Sequence, residues 1–271
     1  MSVLLSRNAN AGGARAWQHG DVGENFFTGA IAREYKSRWP HLFEPAMVDP
    51  AVDFLAGLAR GMSALELGVG TGRLALPLSA RGVAVHGIEL SPDMVEQLRL
   101  QVGGAAVAVT LGDFATTKVA GRSGSFSLAY LVRNTIMNLT TQDAQVDCFR
   151  NVAWHLEMGG YFVIEVLVPE LRRMPPGTTV RAIALDPGHL VFDEYDVARQ
   201  RSVSHHIFER NGRVDMWSPS FRYVWPAELD LMGRLAGMAL RGRWSDWDRS
   251  AFTADSRSHV SVWEKVAETD V

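Results

Sequence analysis

The spacing of apolar and polar positions changes several times along this chain. Between residues 62 and 168, short and almost wholly apolar runs alternate with stretches whose apolar residues recur every three or four positions. The runs MSALEL (62–67), VAVHGIEL (83–90), AAVAVTLGD (105–113), FSLAYLV (126–132) and GGYFVIEVLV (159–168) read as strands buried on both faces. RLALPLSARG (73–82), SPDMVEQLRLQV (91–102) and TTQDAQVDCFRNVAWHLE (140–157) read as helices between them. Gly82 stops the first, and Ser91 caps the second, with Pro92 and Asp93 in its first turn. Thr140 and Asp143 have the spacing of a capping box for the third. Strands alternating with helices predict a parallel sheet covered on both sides.

The flanks follow other patterns. VDPAVDFLAGLARG predicts a helix that starts near Pro50, buries Val52, Phe54, Leu55 and Leu58, and ends at Gly61. Before it, ENFFTGAIAREYKSRWPHLFEP predicts two short helices broken near Pro40 and Pro45, and residues 1 to about 20 are expected to be mobile. Beyond residue 175 the period falls to two. TVRAIAL, HLVFDEY, SVSHHIFE and RVDMWSPSFRYV predict an antiparallel insertion at about 175–223, with Asn211-Gly212 as a hairpin turn. WPAELDLMGRLAG then predicts a helix with Pro226 in its first turn, an apolar face of Leu229, Met232 and Leu235, and Gly237 as its stop. MALRGRWSDW and SHVSVWEK predict two closing strands. The expected division is a tail and helical cover over residues 1–50, then one α/β domain over 51–265 that contains the insertion.

Composition narrows the class. The chain has 271 residues, 47% hydrophobic and 21% charged, with a net charge of −3, which suits a globular protein and gives no pull toward nucleic acid. Its single cysteine, Cys148, has no internal disulfide partner, and no Cys/His cluster suggests zinc. No apolar run approaches a signal-peptide core or a membrane span, so the reading is a cytoplasmic protein with no membrane partner.

The candidate chemistry starts at ALELGVGTGR (64–73). A dinucleotide fingerprint wants G-x-G-x-x-G/A, and Gly68 and Gly70 fill its first two places. The third falls on Arg73, where a small residue should pack. Instead the glycines run 68, 70 and 72, with Glu66 two residues before them. This E-x-G-x-G-x-G pattern resembles motif I of the class I S-adenosylmethionine-dependent methyltransferases. Glu89 at the second strand's end, GDF (112–114) after the third and the GG turn at 159–160 resemble the family's later checkpoints in the same order. Met158 stands where the family usually has proline before that GG, a departure that should only loosen the turn.

The resemblance covers about residues 50–265. It implies a Rossmann-like α/β sheet of seven mostly parallel strands, the last antiparallel, with an N-terminal helical lid and the β insertion after strand 5. It implies S-adenosyl-L-methionine as cofactor, S-adenosyl-L-homocysteine as product and no metal. In that reading Gly68, Gly70, Thr71 and Gly72 shape the cofactor loop, and Glu66 lies near the ammonium tail. Glu89 accepts the ribose hydroxyls, Asp113 accepts the adenine amino group, and Phe114 packs on the ring. Leu90, Met94 and Leu131 line the same site. The insertion and Tyr35 resemble aminosugar N,N-dimethyltransferases, which implies a small-molecule substrate. Those enzymes carry Tyr-Asp where this chain has Tyr35-Lys36, so that aspartate's role does not carry over.

Candidates on the acceptor side are less sharply marked. A hydroxyl or acidic carbon acceptor needs a general base, which points to histidine, with His205 and His206 ahead of His41 and His189. Adjacent strand residues face opposite ways, so only one of His205 and His206 is expected to face inward. Asn134 and Tyr130 near the fourth strand's end are expected to orient a polar group. Phe26, Phe27, Tyr35 and Trp39 are candidate lid aromatics, and Arg222 and Tyr223 candidate pocket residues from the insertion. The function expected is methyl transfer to N or O of a small organic molecule in specialised metabolism, with a homodimer through the insertion as a further expectation. The alternatives are a protein that binds S-adenosylmethionine for another reaction and, less favoured, an NAD(P)-dependent oxidoreductase.

Overall fold

A computed structural model describes residues 25–210 and 212–267. The five apolar runs form the parallel part of the main sheet. They are β1 (Ser63–Leu67), β2 (Ala84–Glu89), β3 (Ala108–Leu111), β4 (Phe126–Leu131) and β5 (Leu156–Leu167). The last two strands, β11 (Met238–Trp244) and β12 (Ser258–Lys265), complete a seven-stranded sheet in the order β11-β12-β5-β4-β1-β2-β3. β12 lies antiparallel between β5 and β11. The sheet is the Rossmann-like one that the alternation predicted. The chain moves outward from β1 to β3, then returns to β4 on the other side of β1. That reversal opens a crevice at the carboxyl ends of β1 and β4.

Helices cover both faces because both faces are apolar. On one side α2 (Pro45–Ala59), α3 (Ala75–Ala80) and α4 (Pro92–Arg99) bury Val52, Leu55, Leu74, Leu78 and Leu98 against Leu128 and Val163. On the other, α5 (Gln142–His155) and α6 (Pro226–Leu235) pack Phe149, Val152, Leu229 and Met232 on Phe162 and Trp263. Phe149 meets Phe162 and Trp263 edge-on, with ring centroids 5.0 and 5.5 Å away. Among the described residues no helix is long and apolar enough to cross a membrane.

Local chemistry explains most boundaries and corrects several. Ser91 caps α4 as expected, accepting from the Met94 N–H at 3.2 Å. For α5 the cap is Thr141 rather than Thr140; its hydroxyl accepts from the Ala144 N–H at 3.1 Å. α2 starts at Pro45, so Pro50 lies inside the helix and not at its start. Leu235 is 58% exposed and contributes little to the buried face of α6. The expected mobility of the first 20 residues concerns positions outside the described ones, as does Asn211 of the predicted hairpin turn.

Between β5 and α6 the chain builds a second, antiparallel sheet, as expected from the period-two segment. Its strands are β6 (Val180–Asp186), β7 (His189–Asp196), β8 (Arg201–Arg210), β9 (Arg213–Trp217) and β10 (Ser220–Arg222). The run read as one strand from 213 to 224 is divided around Pro219. β9 pairs with the second half of β8 and β10 with its first half. Arg222 ties this sheet to the main domain. It pairs with Glu228 of α6 at 2.6 Å and donates to the Gln145 side chain of α5.

The segment before α2 forms α1 (Gly29–Arg38), fastened to α4 by two bonds. The Gly29 N–H donates to Asp93 Oδ2 at 2.6 Å, and the Ser91 hydroxyl donates to the Phe27 carbonyl at 2.5 Å. Ser91 therefore caps one helix and holds the entrance of another. One face of the second sheet packs on α1 through aromatic rings. Trp217 lies 5.9 Å from both Phe27 and Trp39, and Tyr35 lies 5.0 Å from Trp39.

Candidate active site

A cavity opens at the crevice between β1 and β4. Its floor is the turn after β1, with Glu66, Gly68, Val69, Gly70 and Thr71. Glu89, Leu90 and Met94 line it from the end of β2 and the start of α4, and Asp113 and Phe114 from the end of β3. Asn25, Phe26, Phe27 and Tyr35 close it from the N-terminal side. The fold thus brings most of the predicted cofactor and lid positions to one place: Glu66, Gly68, Gly70, Thr71, Glu89, Leu90, Met94, Asp113, Phe114 and, across the cavity, Phe26, Phe27 and Tyr35.

The turn needs its glycines. Gly68 and Gly70 have φ of 71° and 54°, where side chains are strained, and a Cβ on Gly68 would press on the Thr135 methyl. Gly72 serves differently from the expectation. It does not line the cavity, and a Cβ there would collide with Leu98 and Leu76, so its smallness lets α4 pack under the loop.

The two buried carboxylates are held in unlike ways. Glu89 accepts the Gly70 N–H at 2.8 Å and the Ser91 N–H at 2.9 Å, one on each oxygen. Burial raises its pKa, and these backbone donors oppose the shift. Glu66 accepts the Tyr130 hydroxyl at 2.9 Å. Burial pushes Glu66 up to about 8, against the opposing pull of Tyr130 and Arg73. Asp113 uses Oδ1 to accept the Ala115 N–H at 2.8 Å, which fixes its carboxylate at the strand's end.

Tyr130 is not a substrate-facing residue. Register places it beside Glu66 on the neighbouring parallel strand, and it is fully buried, with its proton committed to that carboxylate. Asn134 is also structural at its oxygen, which accepts the Leu167 N–H at 2.8 Å and links the ends of β4 and β5. Leu131 belongs to the core and does not reach the cavity. Arg222 and Tyr223 are buried away from it, Arg222 in its ion pair and Tyr223 beside Tyr195. Trp39 stands one layer behind Tyr35, outside the lining.

The two histidines do face opposite ways, and neither lines the cavity. His205 points to the far face of the second sheet, bonded to Ser218 at 3.0 Å and stacked on Phe192. His206 points toward α1. It lies 4.9 Å from Trp217 and bonds the His189 ring at 3.0 Å. Burial and the neighbouring His189 bring its pKa down to about 4, so it is neutral near pH 7. His41 is exposed in a short helical turn (Pro40–Phe43).

The sequence reading missed a wall of the cavity made by Arg73, Val132, Arg133, Thr135, Asn138, Leu139 and Thr140. Arg73 had been weighed only as a misfit in a glycine pattern. Arg133 immediately follows the apolar run of β4, a position that in an open α/β sheet faces the ligand crevice. That signal was available in the sequence. Among the described residues no group of His, Cys, Asp and Glu is arranged to hold a metal.

An open sheet with a reversal at β1/β4, a glycine turn and carboxylates ending β1 and β2 defines an enzyme class that binds an adenosyl ligand at strand ends. The methyltransferase domain family matches residues 64–160. The chain is similar to the CcbJ methyltransferase from Streptomyces caelestis, at 37% identity and a TM-score of 0.76, over 88% of this chain and 96% of that one. It is 28% identical over 235 residues to a cypemycin N-terminal methyltransferase from Streptomyces sp, covering 81% of this chain and 92% of that protein. CalS10, an amino pentose methyltransferase from Micromonospora echinaspora, shares the fold, with a TM-score of 0.60 at 20% identity over 89% and 99% of the two chains. The chain belongs to the class I S-adenosylmethionine-dependent methyltransferases.

Proposed function

We propose that this enzyme methylates a nitrogen atom of a small organic molecule in specialised metabolism. The observation that carries the reading is one cavity with two unlike walls. Backbone turns and carboxylates at the strand ends form one wall, and Phe26, Phe27 and Tyr35 form another. The residues present fit the cofactor. Thr71 Oγ1 is buried at the cavity without a protein partner, and Glu89 and Asp113 each have acceptor capacity beyond the bonds they make.

When bound, S-adenosylmethionine supplies an electrophilic methyl group on a sulfonium. Glu89 would hold the ribose hydroxyls, Asp113 the adenine amino group and Phe114 the ring face, while Glu66 would face the ammonium tail. Tyr35, Phe26 and Phe27 would exclude water and hold the acceptor in line with the methyl group. α1, bonded to α4, would act as the lid. No histidine lines the cavity among the described residues. That supports nitrogen over oxygen as acceptor, because an amine that arrives neutral can release its proton to water, whereas a hydroxyl benefits from a base. The name of the cypemycin N-terminal methyltransferase points to an N-terminal acceptor for that relative. We extend the reading to a homodimer through the second sheet. There, Leu185, Leu190 and Met216 lie in one row with Ile207 and are exposed, and β6 is the terminal strand.

Calorimetric titration with S-adenosylhomocysteine, S-adenosylmethionine and NAD(H) tests the cofactor part. Binding of the adenosyl ligands alone is expected, and binding of NAD(H) alone would overturn it. A methyl-transfer screen over matched small amines and phenols tests the acceptor. Turnover of phenols without amines would remove the nitrogen assignment.

A further inference from the structure

The connection after β3 is built unlike its neighbours. β1 and β2 are followed by α3 and α4, whereas residues 112–125 run from β3 to β4 without a helix. Yet Asp113 and Phe114 of this connection line the cavity. Its internal bonds are local. The Thr116 and Thr117 N–H groups donate to the Asp113 carbonyl at 3.1 and 2.8 Å, and the Arg122 N–H donates to the Val119 carbonyl at 3.1 Å.

The carboxyl end of α5 holds this stretch from behind. Asn151 Nδ2 donates to the carbonyls of Phe114 and Thr117, both at 2.9 Å. His155 Nε2 accepts the Val119 N–H at 3.0 Å. The carbonyls of Trp154 and His155 accept the Gly124 and Ser125 N–H groups, both at 2.9 Å. Asn151 and His155 stand four positions apart, so their side chains share one face of the helix. Both are buried, and neither lines the cavity.

The chemistry of the two side chains is specific. His155 Nδ1 lies 2.8 Å from the Asn151 carbonyl, which only accepts, so Nδ1 carries the proton and Nε2 keeps a lone pair for Val119. That is one neutral tautomer, and burial brings the His155 pKa down to about 4, so it persists near pH 7. Asn151 commits its amide nitrogen to two loop carbonyls and leaves Oδ1 buried without a partner among the described residues. An unsatisfied oxygen costs stability, so simple filling of the core does not account for an asparagine here.

We propose that Asn151 and His155 are positioning residues for the adenine end of the site. They fix the backbone that aims Asp113 and Phe114, without touching the ligand, and so set the preference for a 6-aminopurine. The inference rests on the reading of Asp113 and Phe114 given above. A 6-oxopurine puts an acceptor where the carboxylate of Asp113 needs a donor. Discrimination between the two bases depends on where that carboxylate is held.

The test uses the full chain and the variants Asn151→Ser, His155→Leu and His155→Gln. Calorimetry compares S-adenosylhomocysteine with S-inosylhomocysteine, which differs only in carrying an oxo group at C6 of the base. The natural protein is expected to bind the adenosyl ligand roughly tenfold tighter or more, the worth of one hydrogen bond to a charged group. Asn151→Ser and His155→Leu should cut that ratio to about threefold or less, by weakening the adenosyl ligand alone. His155→Gln still offers an oxygen to the Val119 N–H and should keep more of the ratio than His155→Leu. Equal weakening of both ligands marks a merely structural role and overturns the proposal, as does a ratio that survives both disruptive variants. Hydrogen exchange in the natural protein gives a reading that needs no variant to fold. Residues 113–119 should be protected before any ligand is added, and protection that appears only with S-adenosylhomocysteine overturns the proposal. Equal binding of the two ligands by the natural protein would remove the adenine role of Asp113 along with it. Binding of neither would remove the cofactor reading itself.

Discussion

The two sides of the cavity are built by different means. The strand-end side uses residues 66–114, a continuous part of the chain in which each position follows from where a strand stops. The facing side draws Phe27 and Tyr35 from the N-terminal segment and the wall around Arg133 from the turn after β4. Behind it stand Trp39, His206 and Trp217, the last two from a separate sheet. One side is a property of the sheet, and the other is a meeting of distant segments. On the proposed reading, binding of the adenosyl ligand and choice of acceptor belong to different sides, and substitutions test that division.

The largest expected effect lies on the strand-end side. Glu89→Ala should weaken S-adenosylhomocysteine roughly a hundredfold, because two hydrogen bonds to a charged group are lost at about 1.5–3 kcal/mol each, less what water restores. Calorimetry reads this directly, and an unchanged affinity would break the comparison at its stronger half.

A smaller effect concerns the proton on Glu66. Its carboxyl is protonated in much of the unliganded protein at neutral pH, with a pKa pushed up to about 8. An ammonium group nearby favours the carboxylate, so ligand binding should release a proton. Affinity for S-adenosylhomocysteine should therefore rise between pH 6 and 8, by at most tenfold per unit, and level off above. Stability runs the other way. A folded pKa above the unfolded one means that this group's contribution is full below about pH 4.5 and is lost as pH rises through about 8. Glu66→Gln should flatten both profiles. A pH-independent affinity in the natural protein would remove the ammonium from this site.

The smallest effect separates the histidines. His206→Ala opens a gap beside Trp217 and Trp39, and should raise the KM for the acceptor several-fold while leaving cofactor affinity alone. His205→Ala faces away and should change neither. Equal effects from both would mean that the aromatic interface does not position the lid.

Much of this was legible in the sequence, and the failures have physical causes. Tyr130 and Asn134 were correctly placed near the end of β4 but wrongly given to the substrate. Register pairs Tyr130 with Glu66, and the bend after β4 uses the Asn134 amide to hold β5. The sequence offers Arg222 as a pocket residue, yet it closes a buried network with Gln145 and Glu228. Pro50 looked like a helix start because proline is best tolerated there, but Pro45 takes that place and packing carries the helix through Pro50.

The sequence by itself determined the strand-and-helix alternation and the acids and glycines at the strand ends. These follow from local periodicity and from where strands must end. Only the tertiary structure decided the strand order that makes the crevice, which side chains look into the cavity and which are consumed in holding it. Those outcomes depend on register between strands and on contacts between segments far apart in the chain, and no local pattern encodes either.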